Sequence, residues 1–198
     1  MDVREQIEQA IYYAKLLFDR NKVTGSSANL SFRIDDCIYI TASGTSFGSL
    51  KADDFSVLDM DGTILDGKKP SKEFPLHRDF YLANEEVGAI IHTHSTYATL
   101  WSIYAGAKAI EKFPRYTPYL RMKVGEVINV PYAAPGTEDL FKLFRERLTP
   151  DGRAYLLENH GPVVGSKDIK NAFYAIEELE ESCLIAWALR QENLPQLP

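Results

Sequence analysis

The 198-residue sequence predicts a single α/β domain whose central sheet is antiparallel or mixed. Three observations carry that expectation. The chain opens and closes on apolar residues at helical spacing. Its strand-like runs come largely in hairpins, which argues for antiparallel or mixed pairing. With 45% hydrophobic residues and no repeat, low-complexity segment or linker, residues 1–198 can bury one core as one domain.

Val3, Ile7, Ala10, Ile11, Ala14, Leu17 and Phe18 define an amphipathic first helix, expected to end near Thr24-Gly25. After the small-residue loop Gly25–Asn29, Leu30–Ile34 alternates as a strand, Asp35-Asp36 turns, and Cys37–Thr41 returns. A second small loop, Ser43–Ser46, precedes strands Phe55–Asp59 and Thr63–Leu65, which flank the hairpin signal Asp61-Gly62. The polar loop Asp66–Glu73 leads into a short helix over Leu76–Ala83. Strand 87–92 comes next, then a helix through about Tyr104. Residues Ile110–Lys123, rich in Pro, Tyr and basic side chains, read as an ordered surface loop. Glu126–Val130 is a strand, and Thr137 caps a helix through Leu148. Ala154–Leu157 and Val163-Val164 are strands around Glu158–Gly161. The closing helix carries Ile169, Phe173, Ile176, Leu179, Cys183, Leu184 and Trp187 on one face.

Several function classes are disfavoured by composition. A net charge of −6 without a basic stripe argues against a nucleic-acid partner. No apolar run approaches the ~20 residues of a membrane span. The opening MDVREQIEQAIYYAK has early acids and no apolar core, so a signal peptide is not expected and a cytoplasmic location is. Cys37 and Cys183 read as reduced, buried thiols.

The chemistry concentrates around Ile91-His92-Thr93-His94-Ser95. Residues two apart on a strand share a face, so His92 and His94 would present adjacent imidazoles. Zinc takes neutral imidazole nitrogens and wants a third and fourth ligand. His160, in Asn159-His-Gly, and Glu73, before a helix, complete a three-nitrogen, one-oxygen set suited to Zn²⁺. Each taken alone has an ordinary alternative, a half-buried pair, a solvated loop histidine or a helix-start acid; the set is what points to metal. His77, one helical turn beyond Glu73, reads as structural or as support for that set. Val57–Thr63 is reminiscent of an aspartyl-phosphate motif centred on Asp59. Thr63–Leu65 continues as a strand and no late acidic pair is convincing, so the hairpin reading is preferred. Three stretches, Ser26–Asn29, Ser43–Thr45 and Ser71-Lys72, supply backbone amides, hydroxyls and one lysine. Together they suit a phosphate monoester.

The order of these motifs resembles the class II aldolase/adducin-head family nearly end to end. The resemblance rests on Gly25-Ser-Ser-Ala-Asn29-Leu-Ser, Ile40-Thr-Ala-Ser43-Gly44, Pro70-Ser71-Lys72-Glu73, Ile91-His-Thr-His94-Ser and Glu158-Asn-His160-Gly-Pro. It implies a single three-layer α/β/α domain with a mainly antiparallel central sheet, and a C4 homotetramer with sites between subunits. It also implies Zn²⁺, one per subunit with other divalent ions possible, on His92, His94 and His160, with Glu73 as ligand and acid/base. Ser27, Asn29, Ser43, Gly44 and Ser71 match phosphate-binding positions. The wording Pro-Ser-Lys-Glu-x-x-Leu-His looks most like the 3-oxo-tetronate 4-phosphate decarboxylases. The aldolases and epimerases usually carry Ser at the position of Lys72, and the epimerases carry Asp at that of Glu73.

The expected activity is therefore a zinc-dependent lyase that decarboxylates 3-oxo-tetronate 4-phosphate through a metal-stabilised enediolate. An aldolase of the fuculose-1-phosphate type or a methylthioribulose-1-phosphate dehydratase is the alternative. An adducin-like, non-catalytic oligomerisation domain ranks below both, because all the ligand residues are present. A decarboxylase needs a cation for the departing carboxylate, and Lys72, Arg115, Arg121 and Lys123 are candidates. An aldolase needs a proton donor, with Tyr116 and Tyr119 as candidates, including from a neighbouring subunit.

Overall fold

A computed structural model describes residues 2–198. The chain folds as one α/β domain around an eight-stranded sheet. In chain order the strands are β1 (Asn29–Ile34), β2 (Cys37–Thr41), β3 (Phe55–Asp59), β4 (Ile64–Asp66), β5 (Ala89–His92), β6 (Val127–Val130), β7 (Ala154–Leu157) and β8 (Gly161–Ser166). Across the sheet they run β4-β3-β2-β1-β5-β8-β7-β6. Every neighbouring pair is antiparallel except β6 with β7.

Among the described residues six α-helices cover the two faces: α1 (Val3–Asp19), α2 (Phe74–Ala83), α3 (Thr96–Ala107), α4 (Tyr119–Val124), α5 (Glu138–Arg147) and α6 (Ile169–Leu189). Strand alternation sorts the core into two layers. Leu30, Phe32, Ala89 and Ile91 pack with α1, α3, α4 and α6. Ile38, Ile40, Ile90 and Val163 pack with α2 and α5 on the other face. The predicted three-layer arrangement is the observed one.

Three local expectations are corrected. First, α1 stops at Asp19 rather than near Thr24-Gly25. Asn21 adopts a left-handed conformation (φ 56°), and the Lys22 amide donates to Leu17 O at 2.9 Å, closing a helix end of Schellman type. Second, the 110–123 stretch is not all loop, because 119–124 form α4, which buries Leu120 and Val124 against the α6 side. Its prolines and exposed polar residues masked a helix of only six residues. Third, Cys37 is half-buried, whereas Cys183 is buried as expected. The hairpin reading of 57–65 stands: Asp59 Oδ1 accepts from the amides of Asp61 (3.0 Å) and Thr63 (2.8 Å), committing that carboxylate to the turn.

The sheet register positions the candidate site. Asn29 on β1 lies opposite His92 on β5, and His92 opposite Val163 on β8. The N-terminal ends of β1 and β8 and the C-terminal end of β5 thus meet at one margin of the sheet, where loops carrying polar groups can converge without burying unpaired backbone.

Candidate active site and metal centre

At that margin three imidazoles meet. His92 ends β5, His94 follows two residues on, and His160 sits in the turn between β7 and β8. Asn159 holds a left-handed conformation there (φ 56°), and Gly161 runs so close to the Thr93 carbonyl that a Cβ would collide with it. His92 Nε2 lies 3.2 Å from His94 Nε2 and 3.3 Å from His160 Nε2. The ring centroids are 4.7–5.0 Å apart. Glu73, at the start of α2, places Oε2 3.4 Å from His92 Nε2 and Oε1 3.4 Å from His160 Nε2.

Those separations can be tested against a metal. Nitrogens bound tetrahedrally to one zinc at roughly 2.0–2.1 Å stand about 3.3 Å apart, the spacing found here. Ring chemistry agrees. Burial first, with neighbouring charges behind it, pushes His92 and His160 down to about 3, and burial lowers His94 as well. All three rings are neutral at pH 7, the form that binds metal. His92 Nδ1 donates to Pro162 O at 2.8 Å, which leaves Nε2 as a bare lone pair aimed at the other rings. The donor set fits a divalent ion.

In front of the imidazoles lies a cavity of about 210 Å³, and most of the predicted residues line it: Ser27, Asn29, Ser43, Gly44, Ser71, Lys72, Glu73 and His94. His92 and His160 stand behind, nearly or fully buried. The Ser43 and Ser71 loops are stitched together: Ser43 N donates to Lys69 O (2.9 Å) and Ser71 N to Thr41 O (3.2 Å). Gly44 has φ +81°, a left-handed turn that L side chains rarely adopt. Ser27 spends its hydroxyl proton on Thr24 O at 2.6 Å.

Lys72 lies at the cavity wall, close enough for its charge to act on His94 and His160. Its stem crosses Gly136, where a Cβ would come within 2.8 Å of Lys72 Cδ. Pro135 lines the same cavity. Sequence reading did not single out this Pro-Gly; with Gly136 at φ +74°, its signal was backbone geometry rather than side-chain chemistry.

The remaining predicted contacts lie elsewhere in the single chain. Tyr119 is well exposed at the start of α4, and Arg121 sits 4.0 Å from Glu126. Arg115 pairs with Glu126 at 2.8 Å, and Lys123 lies over the Tyr174 ring. Tyr116 borders a small recess with Phe113 and Ile185. None of these five lines the imidazole cavity of its own chain.

Three further residues, Ser31, Tyr81 and Glu180, connect to the site without having been picked out. Asn29 Nδ2 donates to Glu73 Oε2 at 2.9 Å, while Asn29 Oδ1 lies 2.6 Å from His77 Nε2. His77 Nδ1 is 2.7 Å from Ser31 Oγ, and that hydroxyl is 2.7 Å from Tyr81 OH. On α6, Glu180 accepts from the amides of Tyr97 (3.0 Å) and Ala98 (2.8 Å), pinning the start of α3 just beyond His94.

Fold and site together define a member of a known family. Residues 8–187 match the Class II Aldolase and Adducin N-terminal domain, and the chain belongs to that family. Among its relatives is the 3-oxo-tetronate 4-phosphate decarboxylase of Haemophilus influenzae, 36% identical over 193 residues, covering 97% of this chain and 91% of that protein. The L-fuculose phosphate aldolase of Methanococcus maripaludis is 35% identical over 181 residues, covering 91% of this chain and 93% of the other. The crystal structure of YgbL from Klebsiella pneumoniae superposes with a TM-score of 0.93 at 35% identity, covering all of this chain and 96% of its own.

Proposed function

We propose that this protein is a zinc-dependent carbon–carbon lyase that decarboxylates 3-oxo-tetronate 4-phosphate to dihydroxyacetone phosphate and CO₂. The observation that carries the reading is Lys72, a cation at the wall of a cavity that also holds Glu73 and His94 beside three phosphate-type loops. Relatives bearing the decarboxylase name at 36–38% identity support it.

His92, His94, His160 and Glu73 would hold the zinc. When bound, it would supply a Lewis acid that stabilises the negative charge developing on the substrate. The chain's own groups do the rest. Amides and hydroxyls of the Ser27–Asn29, Ser43-Gly44 and Ser71 loops bind the phosphate, a remote handle that fixes the reacting carbons. Lys72 holds the carboxylate before it leaves. The C1–C2 bond breaks, its electron pair stays on C2 as the enediolate, and CO₂ departs. Glu73, with a proton taken up from water, would deliver it to C2, which becomes the hydroxymethyl carbon of the product. The protein assembles as a C4 homotetramer, in which Tyr116, Tyr119 and Arg121 of one subunit can approach the cavity of the next.

Aldol cleavage of a ketose phosphate is the second reading, because it leaves the same enediolate and because fuculose phosphate aldolases match the chain almost as well. Lys72→Ser separates the two. A charge-assisted contact to carboxylate contributes about 1.5–3 kcal/mol, so loss of Lys72 should cut kcat/KM for the oxo acid roughly ten- to hundredfold. Cleavage of L-fuculose 1-phosphate should be unaffected. Equal rates for wild type and Lys72→Ser on the oxo acid would overturn the role of Lys72. Glu73→Gln should lower product formation by about 10²–10⁴.

A further inference from the structure

We propose that His77 is a positioning residue: it fixes the direction of the Asn29 amide, which in turn holds the Glu73 carboxylate toward the three imidazoles. This deepens the metal-centre reading and rests on it.

The argument begins with two periodicities that face each other. Glu73, His77 and Tyr81 recur every four residues at and along α2, so they share one helix face. Asn29, Ser31 and Arg33 recur every second residue on β1 and share the sheet face beneath α2. The two rows interleave. Glu73 meets Asn29, His77 bridges Asn29 and Ser31, and Tyr81 meets Ser31 while the Arg33 guanidinium lies 5.5 Å from its ring centre. His77, Ser31 and Tyr81 are at most 1% exposed.

The hydrogen bonds in this row have one consistent direction. Glu73 as a carboxylate only accepts, so the Asn29 atom facing its Oε2 is the NH₂ and the carbonyl oxygen faces His77. His77 Nε2 must then carry the hydrogen. His77 is neutral, since burial drives it down to about 3, so Nδ1 is a bare acceptor. Ser31 donates to Nδ1, and Tyr81, whose phenol burial keeps protonated, donates to Ser31. Every donor points toward Glu73. The reverse tautomer of His77 would present a lone pair to Asn29, turn its amide over and set a carbonyl oxygen against a carboxylate at 2.9 Å. The present direction also spares the second Asn29 N–H, and Asn29 lines the cavity. One histidine behind the site therefore controls what Asn29 offers to both the carboxylate and the cavity.

Chelator competition for zinc on the intact protein tests this, with His77→Phe, His77→Gln and Ser31→Ala beside the wild type. Loss of a partner that orients a metal ligand typically costs 10–100-fold in metal affinity, and His77→Phe should show a weakening of that size. Glutamine places an N–H and a carbonyl at the two ring-nitrogen positions, so His77→Gln should recover most of the affinity. A merely structural role would lower the melting temperature of His77→Phe but leave zinc affinity unchanged, which would overturn the inference. It would also be overturned if His77→Gln bound as weakly as His77→Phe. Should His77→Phe not fold, Ser31→Ala decides: several-fold weaker zinc supports the relay, and wild-type affinity overturns it. Wild-type protein that takes up no stoichiometric zinc would overturn the metal centre and this inference together. Tight wild-type binding with unchanged variants would overturn the inference alone.

Discussion

His94 is the exposed member of the imidazole trio. His94→Ala should therefore leave the fold intact and reduce zinc from one ion per chain to a small fraction of that, measured by elemental analysis after gel filtration. Full occupancy would contradict the ligand assignment. His77 gives a pH signature of a different kind. Its folded value is lowered from 6.5 to about 3, so between those limits the unfolded chain takes up a proton that the folded chain refuses. Stability of the metal-free protein should fall as pH drops through that window, by on the order of 1 kcal/mol per pH unit from this residue. Urea midpoints at pH 6.5 and 5 read the slope, to which His92, His94 and His160 add with the same sign, and His77→Gln should make it shallower by its own share. At this scale much was legible in sequence. His92, His94, His160 and Glu73 were found from residue type and order, and they do converge. What escaped was the use of Asn29 by Glu73 and His77. Four-residue spacing on α2 and two-residue spacing on β1 were both visible, but that the two rows face each other is a tertiary fact.

Helix α3 begins immediately after the His92–His94 segment, and its first amides are satisfied by a carboxylate from a distant helix rather than by a local cap. Glu180 is 2% exposed and accepts from both Tyr97 and Ala98. Glu180→Ala would strand those donors and should cost roughly 2–3 kcal/mol, measurable by denaturant unfolding, with zinc held more weakly because His94 loses its frame. Gly161 is a second constraint of this scale. Any side chain there meets the Thr93 carbonyl, so Gly161→Ala should push β8 away from the segment joining the two histidines and destabilise the protein despite adding one methyl group. Long, periodic elements such as α1 and α6 and the hairpins were readable because their patterns repeat over many residues. Helix α4 was not, since six residues hold fewer than two turns of pattern and its burial comes from α6.

For the whole molecule, the mainly antiparallel pairing followed from the hairpins, whereas the strand order across the sheet and the parallel pair of β6 with β7 did not. That pair depends on α5 crossing over between strands too short to announce their direction. The same limit applies to assembly. Tyr116, Tyr119 and Arg121 lie away from the cavity of their own chain, and the proposed C4 tetramer would bring them to a neighbour's. Light scattering should give a four-chain mass, and Tyr119→Ala should reduce turnover while leaving zinc content unchanged. Among the described residues no helix is long and apolar enough to cross a membrane, and no part of the mechanism calls for one. The central claim concerns the bond that breaks. Zinc-loaded protein should be offered 3-oxo-tetronate 4-phosphate and, separately, L-fuculose 1-phosphate, with dihydroxyacetone phosphate and CO₂ followed together. The account predicts equimolar dihydroxyacetone phosphate and CO₂ from the oxo acid. Dihydroxyacetone phosphate from the fuculose phosphate alone, with no CO₂ from the oxo acid, would contradict it.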